Sequence, residues 1–205
     1  MDNKAHWEGM YRNTEPERAS WYQVEPEPSL QLIRQAVPET AAIIDVGGGT
    51  SALVDSLLSA GYLRVTVLDL SPAALAAAQR RLGEAAGAIT WIEGDLLNAA
   101  LPAAGFDLWH DRAVFHFLTR APDRQRYVRQ VRRALSPDGY VLIATFAPDG
   151  PERCSGLEVV RYSAEALRHE LGASFTLVTS VGVEHRTPGG LIQPFIYCVF
   201  HRGLS

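Results

Sequence analysis

The order of apolar and polar positions predicts a chain in which β-strands and α-helices alternate. Short apolar runs with the length of buried strands recur at 41–46, 63–68, 89–92, 106–110 and 140–146. Helical signals fill several of the intervening stretches, and the clearest is Ser71 as an N-cap with Pro72 at the first position of an alanine-rich helix that runs to about Ala86. A turn is predicted at 136–139, before the strand at 140–146. This alternation is typical of a parallel sheet with helices on its faces.

The pattern changes towards the carboxyl terminus. A loop at 147–161 and a helix with Ser163 as its N-cap lead to two long strand-like stretches, 175–184 and 191–200. Because little chain separates these stretches around a turn at 187–190, we expect them to pair as an antiparallel hairpin. The predicted fold class is α/β, a Rossmann-like, doubly wound sheet of seven strands, mostly parallel, with an antiparallel C-terminal hairpin.

The composition is that of an ordinary globular domain. Of 205 residues, 47% are hydrophobic and 20% are charged, and this length suits one α/β domain. The net charge of −4 gives no general attraction to nucleic acid, and no apolar run has the length of a membrane span. The first residues lack the apolar core of a signal peptide, so we expect a cytoplasmic location. Cys154 and Cys198 form no metal motif, and no metal site is predicted.

A glycine-rich turn, Gly47-Gly48-Gly49, follows the first predicted strand, and the second predicted strand runs into Asp69. This is the first half of a nucleotide-binding βαβ unit, in which the acid accepts hydrogen bonds from a ribose diol. The spacing from Gly47 to Ala52 also fits the dinucleotide fingerprint, so the pattern alone leaves an NAD-dependent oxidoreductase open.

The charge of Asp45 favours a cofactor that has no phosphate. Asp45 precedes the first glycine by two residues, where its carboxylate would repel the pyrophosphate of a dinucleotide. S-adenosylmethionine carries an ammonium and a sulfonium group, both of which a carboxylate suits. A phosphate-binding P-loop is excluded because no Gly-Lys-Ser/Thr follows the glycines, and the only lysine of the chain is Lys4.

Several spaced motifs resemble those of the class I S-adenosylmethionine-dependent methyltransferases. They cover residues 41–201 and comprise Asp45–Gly49, Asp69, Glu93–Leu96, Phe106–Arg112 and Leu135–Tyr140. The resemblance implies that Gly47, Gly48 and Gly49 lie against the methionine part of the cofactor and that Asp69 binds the ribose. It further implies that Leu70, Asp95 and Leu96 lie around the adenine. His110 would lie at the end of the fourth strand, which faces the transferred methyl group.

Two departures from the family pattern narrow the expectation. Ser51 stands where many members carry a third glycine. The fourth motif lacks the Asn/Asp-Pro-Pro-Tyr/Phe signature of enzymes that methylate amino groups of nucleobases or amides. That absence argues against a DNA or RNA acceptor.

The amino-terminal aromatic residues resemble the lid of small thiol methyltransferases, although some protein-lysine methyltransferases begin in a similar way. We therefore predict one domain over residues 1–205, in which residues 1–40 form a cofactor lid and a first helix. Tyr11 and Trp21 would contact the cofactor, because a sulfonium is attracted to electron-rich rings. The alternative is that these rings only pack an amino-terminal helix on the sheet.

Asp111, Arg112 and His116 follow the fourth predicted strand and are the predicted catalytic residues. His116 would act as a base or orient the acceptor, or else lie on a helix surface. Arg112 would hold a substrate carboxylate, or else pair with Asp111 in a structural bridge. The hypothesis is a methyltransferase acting on a small molecule. The alternatives are a protein-lysine methyltransferase and, more distantly, an NAD-dependent oxidoreductase or a non-catalytic cofactor-binding subunit.

Overall fold

The structure is a computed structural model that describes residues 3–203; the predicted domain limits, residues 1 and 205, lie outside them. The strands are β1 Ala42–Val46, β2 Arg64–Asp69, β3 Thr90–Glu93, β4 Phe106–Arg112, β5 Leu135–Phe146, β6 Arg153–Cys154, β7 Leu157–Glu158, β8 Phe175–Arg186 and β9 Ile192–Arg202. The helices are α1 Asn3–Asn13, α2 Glu27–Ala36, α3 Leu53–Ser59, α4 Pro72–Leu82, α5 Ala121–Ala134 and α6 Ala164–Leu171.

Seven strands form one sheet in the order β3-β2-β1-β4-β5-β9-β8. The pairs among β1 to β5 are parallel, whereas β9 pairs antiparallel with both β5 and β8. The predicted fold class is therefore confirmed. The chain builds the sheet outward from β1 to β3 and then returns to place β4 on the other side of β1. This reversal creates a crevice at the carboxyl ends of β1 and β4, which is where open α/β sheets bind ligands.

Both faces of the sheet are covered, as its sequence pattern requires. All five residues of β1 are buried, and Ile43 and Ile44 point into different cores because successive strand residues face opposite ways. Ile33 of α2 and Leu57 of α3 pack in one core, and Val131 of α5 packs in the other. Between residues 3 and 203, no helix combines the length and apolar character needed to cross a bilayer.

The predicted element boundaries differ from the structure in three places. Helix α4 ends at Leu82 rather than near 86, because Gly83 adopts a positive φ of 59° and a 3-10 helix follows. Strand β5 begins at Leu135 and takes in the predicted turn, with a register shift against β4. The predicted loop 147–161 contains the small hairpin of β6 and β7. The N-caps Ser71 and Ser163 are confirmed, since each side chain accepts a backbone N–H three residues on.

Candidate active site

A cavity of about 560 Å³ lies at the carboxyl edge of the sheet, within the size range of small-ligand pockets. One part of its wall follows β2 and β3 and is called here the β2–β3 end; the part after β4 is the β4 end. The lining residues are Lys4, Trp7, Tyr11, Trp21, Gly47, Leu68, Asp69, Leu70, Gly94, Asp95, Leu96, Leu97, Arg112, Ala113, Val114, Phe117, Leu118 and Cys154.

Asp69 closes β2 and places a buried carboxylate in the wall of this cavity, with 5% of its surface exposed. Oδ1 accepts the backbone N–H of Ser71 at 2.8 Å. Burial raises the pKa of Asp69 to about 7, and the carboxylate of Asp45 acts in the same direction. Backbone N–H groups, that of Ser71 first, act against this rise. The group is therefore poised between its acid and its anion near neutral pH.

In the glycine turn after β1, neighbouring side chains lie too close to the backbone to leave room for a Cβ. Gly49 has a φ of +45°, and a Cβ there would lie 2.6 Å from the hydroxyl oxygen of Tyr11. Gly47 has a φ of +64° and lines the cavity with its backbone. Both positions need glycine because a side chain would be strained and would meet a neighbour. Gly47 therefore presents backbone, rather than a side chain, towards the cavity, whereas Gly49 lies against Tyr11 and does not line the cavity.

Asp45 and His110 are buried side by side on the neighbouring strands β1 and β4. Nδ1 of His110 lies 2.6 Å from Oδ1 of Asp45, and Nε2 lies 2.8 Å from the hydroxyl of Ser29. Together with Gly48 they line a side cavity of about 40 Å³ rather than the main one. A Cβ at Gly48 would lie 2.6 Å from Oδ2 of Asp45, so this oxygen faces the glycine turn. Asp45 thus meets a protein partner on one side and the turn on the other.

The β2–β3 end also carries Asp95 and two leucines. Asp95 accepts the backbone N–H of Leu97 at 2.9 Å and the amide of Asn98 at 2.7 Å. Each carboxylate oxygen has a second lone pair, so further hydrogen bonds are available to a ligand. Leu70 and Leu96 line the same part of the cavity. This arrangement suits a flat apolar ring with a polar edge.

Aromatic rings from the amino-terminal segment, defined here as residues 3–26, form much of the remaining wall. Trp7 lies 5.8 Å from the ring of Trp21 and 5.1 Å from that of Phe117, with nearly perpendicular planes. Tyr11 lies 5.8 Å from Trp21. Burial and then the carboxylates of Asp69 and Asp45 raise the pKa of Tyr11 well above its ordinary value. Its hydroxyl therefore stays protonated and can donate.

Arg112 ends β4 and lines both cavities. Nε donates to the hydroxyl of Tyr197 at 2.9 Å, and Nη1 donates to the carbonyl of Trp21 at 2.9 Å. The guanidinium carbon lies 4.8 Å from the ring centre of Phe195. The alternative of a structural bridge to Asp111 is wrong, since the two adjacent residues point to opposite faces of the strand and form no pair among the described residues.

Asp111 and His116, the other two predicted catalytic residues, do not line the cavity. The fully buried carboxylate of Asp111 accepts the hydroxyl of Tyr127 at 2.8 Å and two backbone N–H groups of the following turn. Burial raises the pKa of Asp111 to about 6. The structure thus places Asp111 where it holds the turn after β4.

His116 is fully buried rather than on a helix surface, and its ring packs 4.5 Å from Phe117 and 4.8 Å from Phe146. Burial, with a smaller effect of Arg112, lowers the pKa of His116 to about 3, so the ring is neutral. Neither ring nitrogen has a hydrogen-bond partner among residues 3–203. A neutral imidazole with no access to the cavity has no route to a substrate proton in this structure.

Sequence reasoning missed part of the β4 end. Cys154, to which the sequence analysis assigns no role, lies buried in the cavity wall, and burial raises the pKa of its thiol. Phe117 and Leu118 follow β4 in a 3-10 turn and were not singled out. The aromatic run after β4 was the available signal for Phe117, but no sequence pattern links Cys154 to this edge.

Comparisons with known proteins agree with this geometry. A family model described as a methyltransferase domain matches residues 43–139. The human EEF1A lysine methyltransferase 2 is 26% identical over 126 residues, which cover 55% of this chain and 50% of that protein. The aligned region spans about half the length of the curated relatives that the chain matches.

Solved structures resemble the chain over nearly its whole length. One, from work on the conversion of a disulfide bond into a thioacetal group during echinomycin biosynthesis, has a TM-score of 0.79 at 22% identity and covers 98% of this chain and 92% of that one. Another is the 1,6-didemethyltoxoflavin-N1-methyltransferase of Burkholderia thailandensis, with a TM-score of 0.74 at 21% identity, covering 98% of this chain and 87% of that one. At these identities the likeness establishes the fold.

Proposed function

We propose that this chain, which belongs to the class I S-adenosylmethionine-dependent methyltransferases, transfers the methyl group of S-adenosylmethionine to a nucleophilic atom of a small molecule. The family follows from the matched domain and from the order of the sheet. The activity and the acceptor are proposals, because the chain aligns with only about half of the curated relatives.

The residues of the cavity fit this cofactor. S-adenosylmethionine supplies an activated methyl group on a sulfonium cation. In this proposal Asp69 would accept hydrogen bonds from the ribose hydroxyls, Leu70 and Leu96 would pack on the adenine, and Asp95 would accept from the adenine amine; all four residues line the cavity. The backbone of Gly47 lines the cavity, and this supports the close approach of a ligand to the glycine turn there. Oδ2 of Asp45 faces the same turn and would receive an ammonium group.

The amino-terminal segment would serve as a lid, with its rings against the sulfonium. Trp7, Tyr11 and Trp21 already line the cavity, and aromatic faces attract cations by about 0.5–2 kcal/mol. The segment also limits the access of water. Under this proposal the main catalytic contribution is to hold the nucleophile behind the methyl group, and such positioning can account for roughly 7–11 kcal/mol of the barrier.

The cavity wall lacks two of the predicted catalytic residues, so the proposed acceptor is one that loses its proton to solvent near neutral pH. A thiol with a pKa near about 8.5 is partly ionised at neutral pH, whereas a lysine ammonium near about 10.4 first needs deprotonation. Asp111 and His116 lie outside the cavity wall. A soft nucleophile such as a thiol, or an acidic phenol, therefore suits this site better than an amine.

The observation that carries the small-molecule proposal is the distribution of charge along the cavity. Of the described residues that line it, the acidic ones are Asp69 and Asp95, and both belong to the β2–β3 end. The β4 end carries the guanidinium of Arg112, whereas the other basic side chain in the wall, Lys4, pairs with Glu93 at the end of β3. A lysine ammonium about 6 Å from the guanidinium would be repelled by roughly 3 kcal/mol at an effective dielectric of about 20.

The second candidate is methylation of a lysine on a partner protein. It is supported by the 26% identity to EEF1A lysine methyltransferase 2. Among the described residues, however, no acidic side chain lines the β4 end of the cavity to neutralise a lysine ammonium. The charge distribution makes it the weaker of the two.

The test is incubation with S-adenosylmethionine labelled in the methyl group and three separate acceptor pools: small thiols, phenols and a whole-cell protein extract. We expect label in a small-molecule pool. Label confined to the protein pool would favour the lysine alternative. Calorimetry with S-adenosylhomocysteine and with NAD is the companion experiment, and binding of NAD alone would refute the cofactor. Binding of S-adenosylhomocysteine without transfer to any pool would indicate a non-catalytic subunit.

A further inference from the structure

We propose that Arg112 receives a carboxylate of the acceptor, so that the natural acceptor is an anionic small molecule with an apolar body. The proposal builds on the proposed function, since it assumes a methyl acceptor at the β4 end. It names the class of substrate and a residue that determines specificity.

The guanidinium is held in place on two sides and left incomplete on the third. Tyr197 and Trp21 accept from Nε and Nη1, which fixes the plane of the group between β9 and the amino-terminal segment. Nη2 is enclosed by the protein and has no hydrogen-bond partner among residues 3–203. Enclosed donors are almost always paired in folded proteins, so an unpaired one calls for an acceptor atom.

The charge of Arg112 is also uncompensated. Within the described part of the chain, no carboxylate forms an ion pair with it. The titratable groups around it do not supply a negative charge: burial lowers the pKa of His116 and of His185, and burial raises the pKa of the Cys154 thiol. Arg112 is partly buried, and a partly buried cation without a counter-ion favours the binding of an anion.

The walls around this cation are apolar. Val114, Phe117 and Leu118 from the turn after β4, together with Trp7, line the same end of the cavity. A ligand there would bury an apolar body against these side chains and direct its anionic group to Arg112. The two hydrogen bonds that already orient the guanidinium reduce the ordering needed on binding.

A carboxylate could reach Arg112 from two sources, because the residue also lines the side cavity beside the glycine turn. One source is the acceptor and the other is the amino-acid portion of the cofactor. The chemistry is the same, so the experiment measures the two separately.

The probes are phenylacetate, its neutral amide phenylacetamide, and the cation phenethylamine, titrated by calorimetry into protein saturated with S-adenosylhomocysteine. We expect the order acid, then amide, then amine for the wild type. Arg112→Gln should weaken phenylacetate by roughly 10- to 100-fold while changing phenylacetamide little, since a charge-assisted hydrogen bond is lost. Arg112→Lys should retain part of the preference for the acid. Arg129→Gln removes an exposed arginine of α5 and should leave all three affinities unchanged.

Tyr197→Phe is a second variant that removes one of the bonds orienting the guanidinium but keeps its charge. It should bind phenylacetate more weakly than the wild type and still prefer it to the amide, and it decides the matter if Arg112→Gln unfolds. Equal binding of acid and amide by the wild type would overturn the proposal. So would a tenfold or greater loss of S-adenosylhomocysteine affinity in Arg112→Gln with the acid preference intact, because the carboxylate would then be the cofactor's. Failure of the wild type to bind S-adenosylhomocysteine would instead refute the proposed function.

Discussion

The two ends of the cavity are built in different ways. The β2–β3 end consists of strand termini and the short turns that follow them, so Asp69, Leu70 and Asp95 arrive there directly from the order of the elements. The β4 end collects side chains from distant segments, such as Trp21 before α2 and Cys154 on the β6–β7 hairpin. Under the proposed function, the residues that bind the cofactor are thus specified locally, whereas those that bind the acceptor are brought together by tertiary assembly.

Asp69 and Asp111 are two buried carboxylates whose surroundings differ. Both are buried at the ends of parallel strands, and burial raises the pKa of each. Asp69 faces the cavity and accepts from the chain that follows it. Asp111 faces the opposite core and accepts from Tyr127 and the turn after β4. Exchange of each acid should therefore have different consequences.

Asp111→Ala should have the largest effect, and it should act on stability. The change leaves the hydroxyl of Tyr127 and two backbone N–H groups buried without their acceptor. At ~1–3 kcal/mol for each such donor, we expect the free energy of unfolding to fall by about 4 kcal/mol. Urea denaturation followed by circular dichroism measures it. A fully stable variant with lost methyl transfer would instead restore the catalytic role predicted for Asp111.

Asp69→Ala should act mainly on ligand binding. Under the proposed function the variant would lose two charge-assisted hydrogen bonds to the ribose, and we expect the free energy of S-adenosylhomocysteine binding to weaken by about 3 kcal/mol. Calorimetry measures it, with Asp149→Ala as the control because that acid is exposed in the loop after β5. Unchanged affinity in Asp69→Ala would remove the basis for placing the cofactor at the β2–β3 end.

Much of the fold was accessible from the sequence because it depends on short-range signals. The caps at Ser71 and Ser163, the buried run of β1 and the turn at 187–190 each act within a few residues, and each agrees with the structure. The boundary errors occur where backbone geometry intervenes, as at Gly83.

Within the site, the residues placed by strand order could likewise be predicted, whereas those that depend on contacts between remote segments could not. The glycine turn and Asp69 are predictable because strand order alone brings them to one edge. Alternation along β4 could have shown that Asp111 and Arg112 face opposite ways, but not which of them faces the cavity. The burial of His116 depends on Phe146, which comes from a different strand. The hydrogen bonds from Arg112 to Trp21 and Tyr197 likewise join three remote segments, and no spacing in the sequence predicts them.

A smaller effect is expected from pH, and it separates Asp69 from the other acids. The pKa of Asp69 is about 7 in the folded protein against an ordinary value of 3.8, so the folded state holds a proton between these values. Unfolding releases that proton, and the free energy of unfolding therefore falls as pH rises from 4 to 7 and is flat above. From pH 5 to pH 7 the wild type should lose about 2 kcal/mol more than Asp69→Asn. Asp111 contributes the same sign to both proteins. Parallel pH profiles of the two proteins, from urea denaturation, would show that Asp69 is already ionised.

The smallest effect concerns how the amino-terminal segment is fastened to the β2–β3 end. Oε2 of Glu8 accepts the hydroxyl of Ser71 at 2.5 Å, beside the N-terminus of α4, whereas Glu93 pairs with Lys4 where both side chains are about half exposed. The hydrogen bond from Ser71 lowers the pKa of Glu8, which shows that its anion is stabilised there. Glu8→Gln should therefore lower the free energy of unfolding by about 0.5–1.5 kcal/mol, and Glu93→Gln by less than about 0.5 kcal/mol.

The same two variants should also differ in ligand binding. Because Ser71 also donates its backbone N–H to Asp69, Glu8→Gln should lower the affinity for S-adenosylhomocysteine more than Glu93→Gln does. Equal affinities in the two variants, measured by calorimetry, would mean that the segment closes the cavity from the β4 end alone, through Trp21 and Arg112.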